Sequence, residues 1–303
     1  MAHLSILDKD LNLVTKDVWK GIVEAICNTS FLNLLKDEIK SKENIIKALI
    51  KAVLKRKTNY LGVLFSGGLD STLIAKILKD NNIEFKCICV AFENSSDLNF
   101  ARKAKELYNF DLHLKIITQK DIMDHLPKIL NIIKGTDVVK TEVAIVVYFG
   151  LLEAKKQKIK NLFAGGGSEE IFCGYERHLS SHKKGAEHLH KESISGLISM
   201  YDRDLIRDFN LSKHFDINIL LPFLDNDLIK EAMSIHPNLK TDGINKKIII
   251  RKISKDLGLS SDFSQRKRTA AQYGSRVSAE LSKLARASGY KTKLEFLKSM
   301  TIS

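Results

Sequence analysis

Proline is nearly missing from this chain, at 3 of 303 residues. That scarcity excludes a stiff proline-rich spacer. No internal repeat and no low-complexity tract is present, which excludes a solenoid or an extended tail. Cysteine is also scarce. Cys27, Cys87, Cys89 and Cys173 lack the paired spacing of zinc ligands or of a disulfide framework. Cys87 and Cys89 fall on one face of an expected strand, which suits buried, reduced thiols. Long apolar runs are absent: the longest, Val143 to Leu152, is too short to cross a bilayer. The opening M-A-H-L-S-I-L-D-K-D has no signal-peptide core, so the chain reads as soluble and cytoplasmic, with no membrane partner. Acidic residues are outnumbered, 36 against 49 basic, for a net charge of +13. Such a surplus serves nucleic acid or small anionic substrates. The lysines are scattered rather than blocked with aromatics, which favours small anions while leaving nucleic acid open.

What is present fits a globular enzyme-sized fold, with 44% hydrophobic and 28% charged residues. The first 58 residues read as helices. Val18, Ile22, Val23 and Ile26 share one face, Phe31, Leu32, Leu34 and Leu35 another, and Ile45 to Leu54 a third. Strands are expected at Leu61–Phe65, Phe85–Phe92, His113–Ile117 and Asn161–Ala164. Helices are expected between them: one capped by Asp97 and running to Tyr108 with Ala101, Ala104 and Leu107 inward, then 120–133 and 141–156. This alternation predicts an α/β fold with a parallel, doubly wound sheet, whose ligands gather at the carboxyl ends of the strands. Beyond Ser180 the strand signal fades into helix. We divide the chain into an N-terminal helical extension (1–42), an α/β core (43–180) and a helical C-terminal part (181–303).

The organising stretch is Tyr60 to Asp80. Leu61 to Phe65 is a short apolar run, Ser66-Gly67-Gly68 is a tight turn, and Leu73, Ile74, Ile77 and Leu78 repeat at helical spacing. Strand, glycine turn and helix start together aim free N–H groups and the positive end of a helix dipole at one point, which suits a phosphate. Ser66 and Ser71 add hydroxyls. Asp70 is a carboxylate beside an anion site, reasonable if it holds magnesium between itself and the phosphates. The loop is no Walker A sequence, because no G-K-[ST] ends it. A bare glycine turn would mean little; the whole S-G-G-L-D-S between strand and helix means more. It resembles the signature loop of the ATP-pyrophosphatase, or PP-loop, enzymes.

Further segments are weaker singly. A-G-G-G-S-E-E-I-F-C-G-Y (164–175) again follows a strand with glycines. Glu169 and Glu170 are either dipole-stabilised helix-start acids or, for Glu169, a metal ligand shared with Asp70. Lys247 and Arg251 in N-K-K-I-I-I-R-K stand four apart, as they would on a solvated helix face. L-P-F-L-D (221–225) and R-K-R-T-A-A-Q-Y-G-S (266–275) complete the set.

In this order, over roughly Glu43 to Arg276, the segments resemble the synthetase domain of the asparagine synthetase family, in the adenine nucleotide α-hydrolase fold class. The matches are S-G-G-L-D-S at 66–71, the glycine-rich segment at 164–175, D-x-x-R at Asp204 and Arg207, P-F-L-D at 222–225, and K-x-x-x-R at Lys247 to Arg251. The resemblance implies that Ser66, Gly67, Gly68, Asp70 and Ser71 hold the pyrophosphate of ATP and Mg2+. It implies that Leu64 and Val90 flank adenine, and that Gly165 meets the nucleotide through its backbone. Glu169 replaces the family's metal-binding aspartate, Lys247 is the catalytic cation with Arg251 beside it, and Asp204 and Arg207 border the acceptor pocket. The implied reaction is AMP-forming amide synthesis, with aspartate and ammonia giving asparagine. The family's larger members begin Met-Cys, at a glutaminase nucleophile, where this chain begins Met1-Ala2. No glutaminase of its own is therefore expected, and nitrogen comes from ammonia or a separate glutaminase subunit. Gly166 stands where the family has Glu or Gln, and Asn218 and Leu220 replace its E-x-R. These departures keep open another carboxylate acceptor or a non-catalytic ATP-binding relative, and the basic charge keeps open a tRNA substrate.

Overall fold

The structure, a computed structural model, describes residues 6, 13–31 and 34–301. In chain order the elements are α1 (Lys16–Ser30), α2 (Glu38–Leu54), β1 (Leu61–Leu64), α3 (Leu69–Asp80), β2 (Lys86–Ala91), α4 (Ser96–Tyr108), β3 (Leu112–Ile116), α5 (Gln119–Ile133), α6 (Val138–Lys156) and β4 (Asn161–Phe163). Then follow α7 (Ser168–Ile171), α8 (Glu176–His182), α9 (Ala186–Met200), α10 (Ile206–Phe215), β5 (Asn218–Leu220), α11 (Asn226–Ser234), α12 (Ile248–Asp256), α13 (Ser261–Ser264), α14 (Ala271–Gly274), α15 (Val277–Ala287) and α16 (Lys293–Ser299). The chain divides into two compact units. One comprises residues 1–57, 165–205 and 221–266; the other 58–164, 206–220 and 267–303.

The second unit is the α/β one. Its five parallel strands run in the order β3-β2-β1-β4-β5. Successive strands step one way from β1 to β3, and β4 starts on the other side of β1. The winding therefore reverses at β1, and in open parallel sheets that is where ligands bind. The β1 and β2 strands are buried along nearly their whole length, as strands covered on both faces must be. Helix α6 explains its own composition. Ala144 through Leu151 are all buried, so apolar residues surround the helix instead of forming a stripe. Its core includes Ile88 and Val90 of β2, Ile122 and Leu126 of α5, Leu211 and Phe215 of α10, and Leu281 of α15. All four cysteines are buried and free, as expected of reduced thiols.

The first unit is helical. Trp19 of α1 is fully buried, and its indole N–H donates to the Leu197 carbonyl of α9 at 2.8 Å. Pro222 opens a 3-10 turn that ends in Asp225, the N-cap of α11, whose carboxylate accepts the Asp227 N–H. Asp225 is 2% exposed and is bound by Lys55 and by Arg56 at 2.7 Å. P-F-L-D is thus a clamp between α2 and α11. Burial would raise the Asp225 pKa, but the Lys55 and Arg56 bonds outweigh it and hold the carboxyl below its ordinary value. A depressed folded pKa contributes stability above the unfolded value and loses it as pH falls through the folded value. Asp225→Asn keeps the cap but not the charge. It is expected to cost about 3 kcal/mol in urea unfolding at pH 7, with the gap to wild type closing as the pH drops below the carboxylate range.

Three local expectations need correction. Leu35 is not helical: its N–H donates to Ser234 and its carbonyl accepts from His236, a short parallel bridge. Leu32, expected on the same face, lies outside the described residues. The cap of α4 is Ser95, not Asp97, and Leu107 is 52% exposed rather than inward. The region beyond Ser180, expected to be mostly helical, also contributes the short strand β5.

Candidate functional site

The loop after β1 is braced by its own hydroxyls. Ser66 Oγ accepts the Gly68 N–H at 3.2 Å, and Ser71 Oγ donates to the Gly68 carbonyl at 3.3 Å. Gly67 has φ +65°. A Cβ there would lie 2.7 to 2.9 Å from Phe100 Cβ, the Phe100 carbonyl carbon and the Ala101 nitrogen. Only glycine lets the loop pass so close to α4 in the left-handed region. Gly68, the N-cap of α3, offers this 12-residue helix no side-chain capping hydrogen bond of its own. Asp70 stands in that first turn. The donor set is hydroxyls, amides and one carboxylate, the hard oxygen chemistry that suits magnesium carried on phosphates. Among the described residues no group of three or more His, Cys, Asp or Glu gathers as a metal cage. Magnesium held mainly by phosphates does not require one.

Leu64 and Val90 meet at the same place on α6. Leu64 Cδ1 lies 2.6 Å and Val90 Cγ2 3.7 Å from where a Gly150 Cβ would stand. They pack together against α6, with Leu64 at the end of β1 just before the Ser66–Ser71 loop. The Q-Y-G-S segment is pinned to the end of β2. The Phe92 N–H donates to Ser275 at 3.0 Å, and the Ser96 hydroxyl to the Gly274 carbonyl at 3.3 Å. Arg207, 6% exposed in the same unit, donates to Asp208 at 2.7 Å.

The remaining expected residues belong to the helical unit. Lys247 is 3% exposed, and its ammonium lies 2.9 Å from Glu169 Oε1. Gly174 makes room for this pair. A Cβ on it would sit 1.5 Å from Glu169 Oε2 and 2.9 Å from Lys247 Cε. Lys247 is not within α12, as its spacing to Arg251 suggested. It is the N-cap, in the left-handed region at φ +59°, ψ +35°. For a lysine that conformation is strained. Arg251 donates to three main-chain carbonyls, those of Lys246, Ser264 and Arg266. Gly165 and Gly166 open the turn before α7. A Gly166 Cβ would stand 3.3 Å from Leu221 Cδ2 and 3.7 Å from Met200 Cε, so its surroundings are apolar. Asp204 accepts from Arg203 Nε at 2.7 Å.

Sequence reasoning missed Arg203, Glu170 and Tyr175 as one network. Glu170 is 1% exposed and accepts from Arg203 Nη2 at 2.5 Å and the Tyr175 hydroxyl at 3.0 Å. Burial pushes the Glu170 carboxyl up, against the pull of Arg203. Tyr175 lies under two guanidiniums, Arg177 at 4.1 Å and Arg203 at 5.6 Å from its ring centre. Nothing in D-R-D at 202–204 separates Arg203 from a solvated charge. His178 is also buried. Its Nδ1 accepts the Tyr175 N–H, and burial lowers its pKa to about 3, so it stays neutral.

No helix among the described residues is long and apolar enough to cross a membrane. Residues 44–186 and 179–298 match the family described as asparagine synthase. A relative from Methanocaldococcus jannaschii, named among the glutamine-hydrolysing asparagine synthetases, is 29% identical over 313 residues. That alignment takes in 90% of this chain and 58% of the relative. A glutamine-hydrolysing asparagine synthetase of Asparagus officinalis is 30% identical over 64% of this chain and 35% of its own length. The chain thus spans under two thirds of the curated relatives it matches. Among solved structures, NMN synthetase from Francisella tularensis aligns over 83% of this chain at 12% identity and a TM-score of 0.34.

Proposed function

The chain belongs to the asparagine synthase family, and on that premise we propose that it is an ATP-dependent, AMP-forming amide ligase. A carboxylate attacks the α-phosphorus of ATP, pyrophosphate leaves, and ammonia displaces AMP from the acyl-adenylate. The observation that carries this reading is the Ser66–Ser71 loop. It leaves β1, where the sheet reverses its winding, and enters a helix with a glycine N-cap and a carboxylate in its first turn. Ser66, Gly67, Gly68 and Ser71 would receive the pyrophosphate, and Leu64 and Val90 the adenine, with Gly165 meeting the nucleotide through its backbone. Asp70 and Glu169 would hold magnesium, which supplies charge neutralisation on the phosphates. Lys247 would stabilise the negative charge that both steps build, which accelerates them because that charge is greater in the transition state. Until substrate arrives Glu169 keeps the ammonium in place. Asp204 and Arg207 would border the acceptor. Ammonia would be free or delivered by a separate glutaminase subunit.

Aspartate is the leading acceptor. A different acid is the second reading, because Leu221 and Met200 fill the direction in which a side chain at 166 would point. Pyrophosphate release from ATP and Mg2+ with aspartate, ammonium and glutamine, singly and together, tests both. Release that needs aspartate and ammonium, with asparagine formed, supports the first reading. Release with another acid selects the second, and no release with any acid overturns the ligase reading. Lys247→Ala should lower kcat about 10²- to 10³-fold while ATP affinity stays within a few-fold.

A further inference from the structure

The strained backbone of Lys247 is held by the loop that precedes it, all within the helical unit. The Ile248 N–H donates to the Lys240 carbonyl at 2.9 Å and closes the loop. Inside it the Asp242 carboxylate is the hub. Its Oδ1 accepts the N–H groups of Ile244 at 2.9 Å and Asn245 at 2.6 Å, and its Oδ2 the Asn245 side-chain amide at 2.8 Å. From the buried side, the Thr241 hydroxyl donates to the Asn245 carbonyl at 2.6 Å and accepts the Gly243 N–H at 3.1 Å. Arg251 then holds the Lys246 carbonyl at 3.0 Å. Both neighbours of Lys247 are therefore fixed before its side chain turns toward Glu169. The bonds to Asn245 and Ile244 depress the Asp242 carboxyl to about 2, so it is ionised throughout any working pH.

We propose that Asp242 is a positioning residue: it holds the 240–248 loop so that Lys247 adopts its left-handed backbone and presents its ammonium at Glu169. The proposal rests on the reading of Lys247 as the catalytic cation, and it extends that reading to a residue that acts through the loop backbone at Ile244 and Asn245. A loop bond that served stability alone would leave the ammonium where it is.

The test is the whole chain carrying Asp242→Ala, Asp242→Asn or Thr241→Val, each checked by far-UV circular dichroism. Trace acetic anhydride labels exposed amines, and peptide mass spectrometry gives the rate at Lys247, which is protected in the wild type by burial and by Glu169. Asp242→Ala should speed that labelling about tenfold or more, because protection follows local opening. It should also lower kcat for pyrophosphate release at least about tenfold at unchanged KM for ATP, because the cation is misplaced. Asp242→Asn retains an oxygen acceptor for both main-chain N–H groups and should restore most of both. Thr241→Val should show the Ala phenotype in weaker form. Unchanged labelling in Asp242→Ala, or equal damage from Ala and Asn, overturns the proposal. Faster labelling in a protein whose Lys247→Ala variant is fully active would support the positioning while removing Lys247 from catalysis, so the two failures are distinct.

Discussion

Alanine at Gly67 is expected to cost the protein about 2–5 kcal/mol of stability and to weaken ATP binding at least about tenfold. Two effects add. The residue must keep φ near +65°, which disfavours any L side chain. Its Cβ would also meet the Phe100 carbonyl carbon and the Ala101 nitrogen below 3.0 Å. Those are backbone atoms of α4 and cannot rotate away, so loop or helix must shift. Urea unfolding followed by circular dichroism reads the first effect, and calorimetric titration with ATP and Mg2+ the second. Asparagine tolerates the left-handed region but brings the same Cβ. If Gly67→Asn behaves like wild type, the steric account is wrong.

Gly174→Ala should do the opposite: leave the fold nearly intact and lower kcat about 10²- to 10³-fold. Gly174 is outside the left-handed region, so alanine adds no backbone strain there. The atoms its Cβ meets are Glu169 Oε2 and Lys247 Cε, the far ends of flexible side chains. They can swing away, and in doing so they break the 2.9 Å pair. Melting temperature within a few degrees of wild type, with turnover nearly lost, is the expected result. Full turnover would mean that the Glu169–Lys247 arrangement is not the working one.

Most of the sheet was legible because its strands are short apolar runs set between glycine turns and periodic helices. β5 was not, since Asn218, Ile219 and Leu220 are too few to show a period and Asn218 is exposed. Leu107 shows how periodicity misleads. Leu98, Ala101 and Ala104 are buried at three-residue spacing. That spacing lags the helical turn by about 60° per step, so Leu107 has come round to the far side. The strand, glycine turn and helix start around Ser66–Ser71 were legible, since they are adjacent in sequence. The Glu170–Arg203–Tyr175 network was not, because its members come from distant segments and burial alone distinguishes them from surface charge. Lys247 was singled out by its spacing to Arg251, yet its place outside α12 depends on a loop whose hydrogen bonds no spacing rule records.

The two units are interleaved along the chain, which passes between them at 57/58, 164/165, 205/206, 220/221 and 266/267. Neither can therefore be produced by a single cut, because every contiguous fragment long enough to hold one takes residues from the other. The protein cannot be assembled by swapping one half for a relative's half at a linker. During synthesis the sheet cannot gain its fifth strand until residue 218 has emerged, by which time most of the helical unit has emerged too.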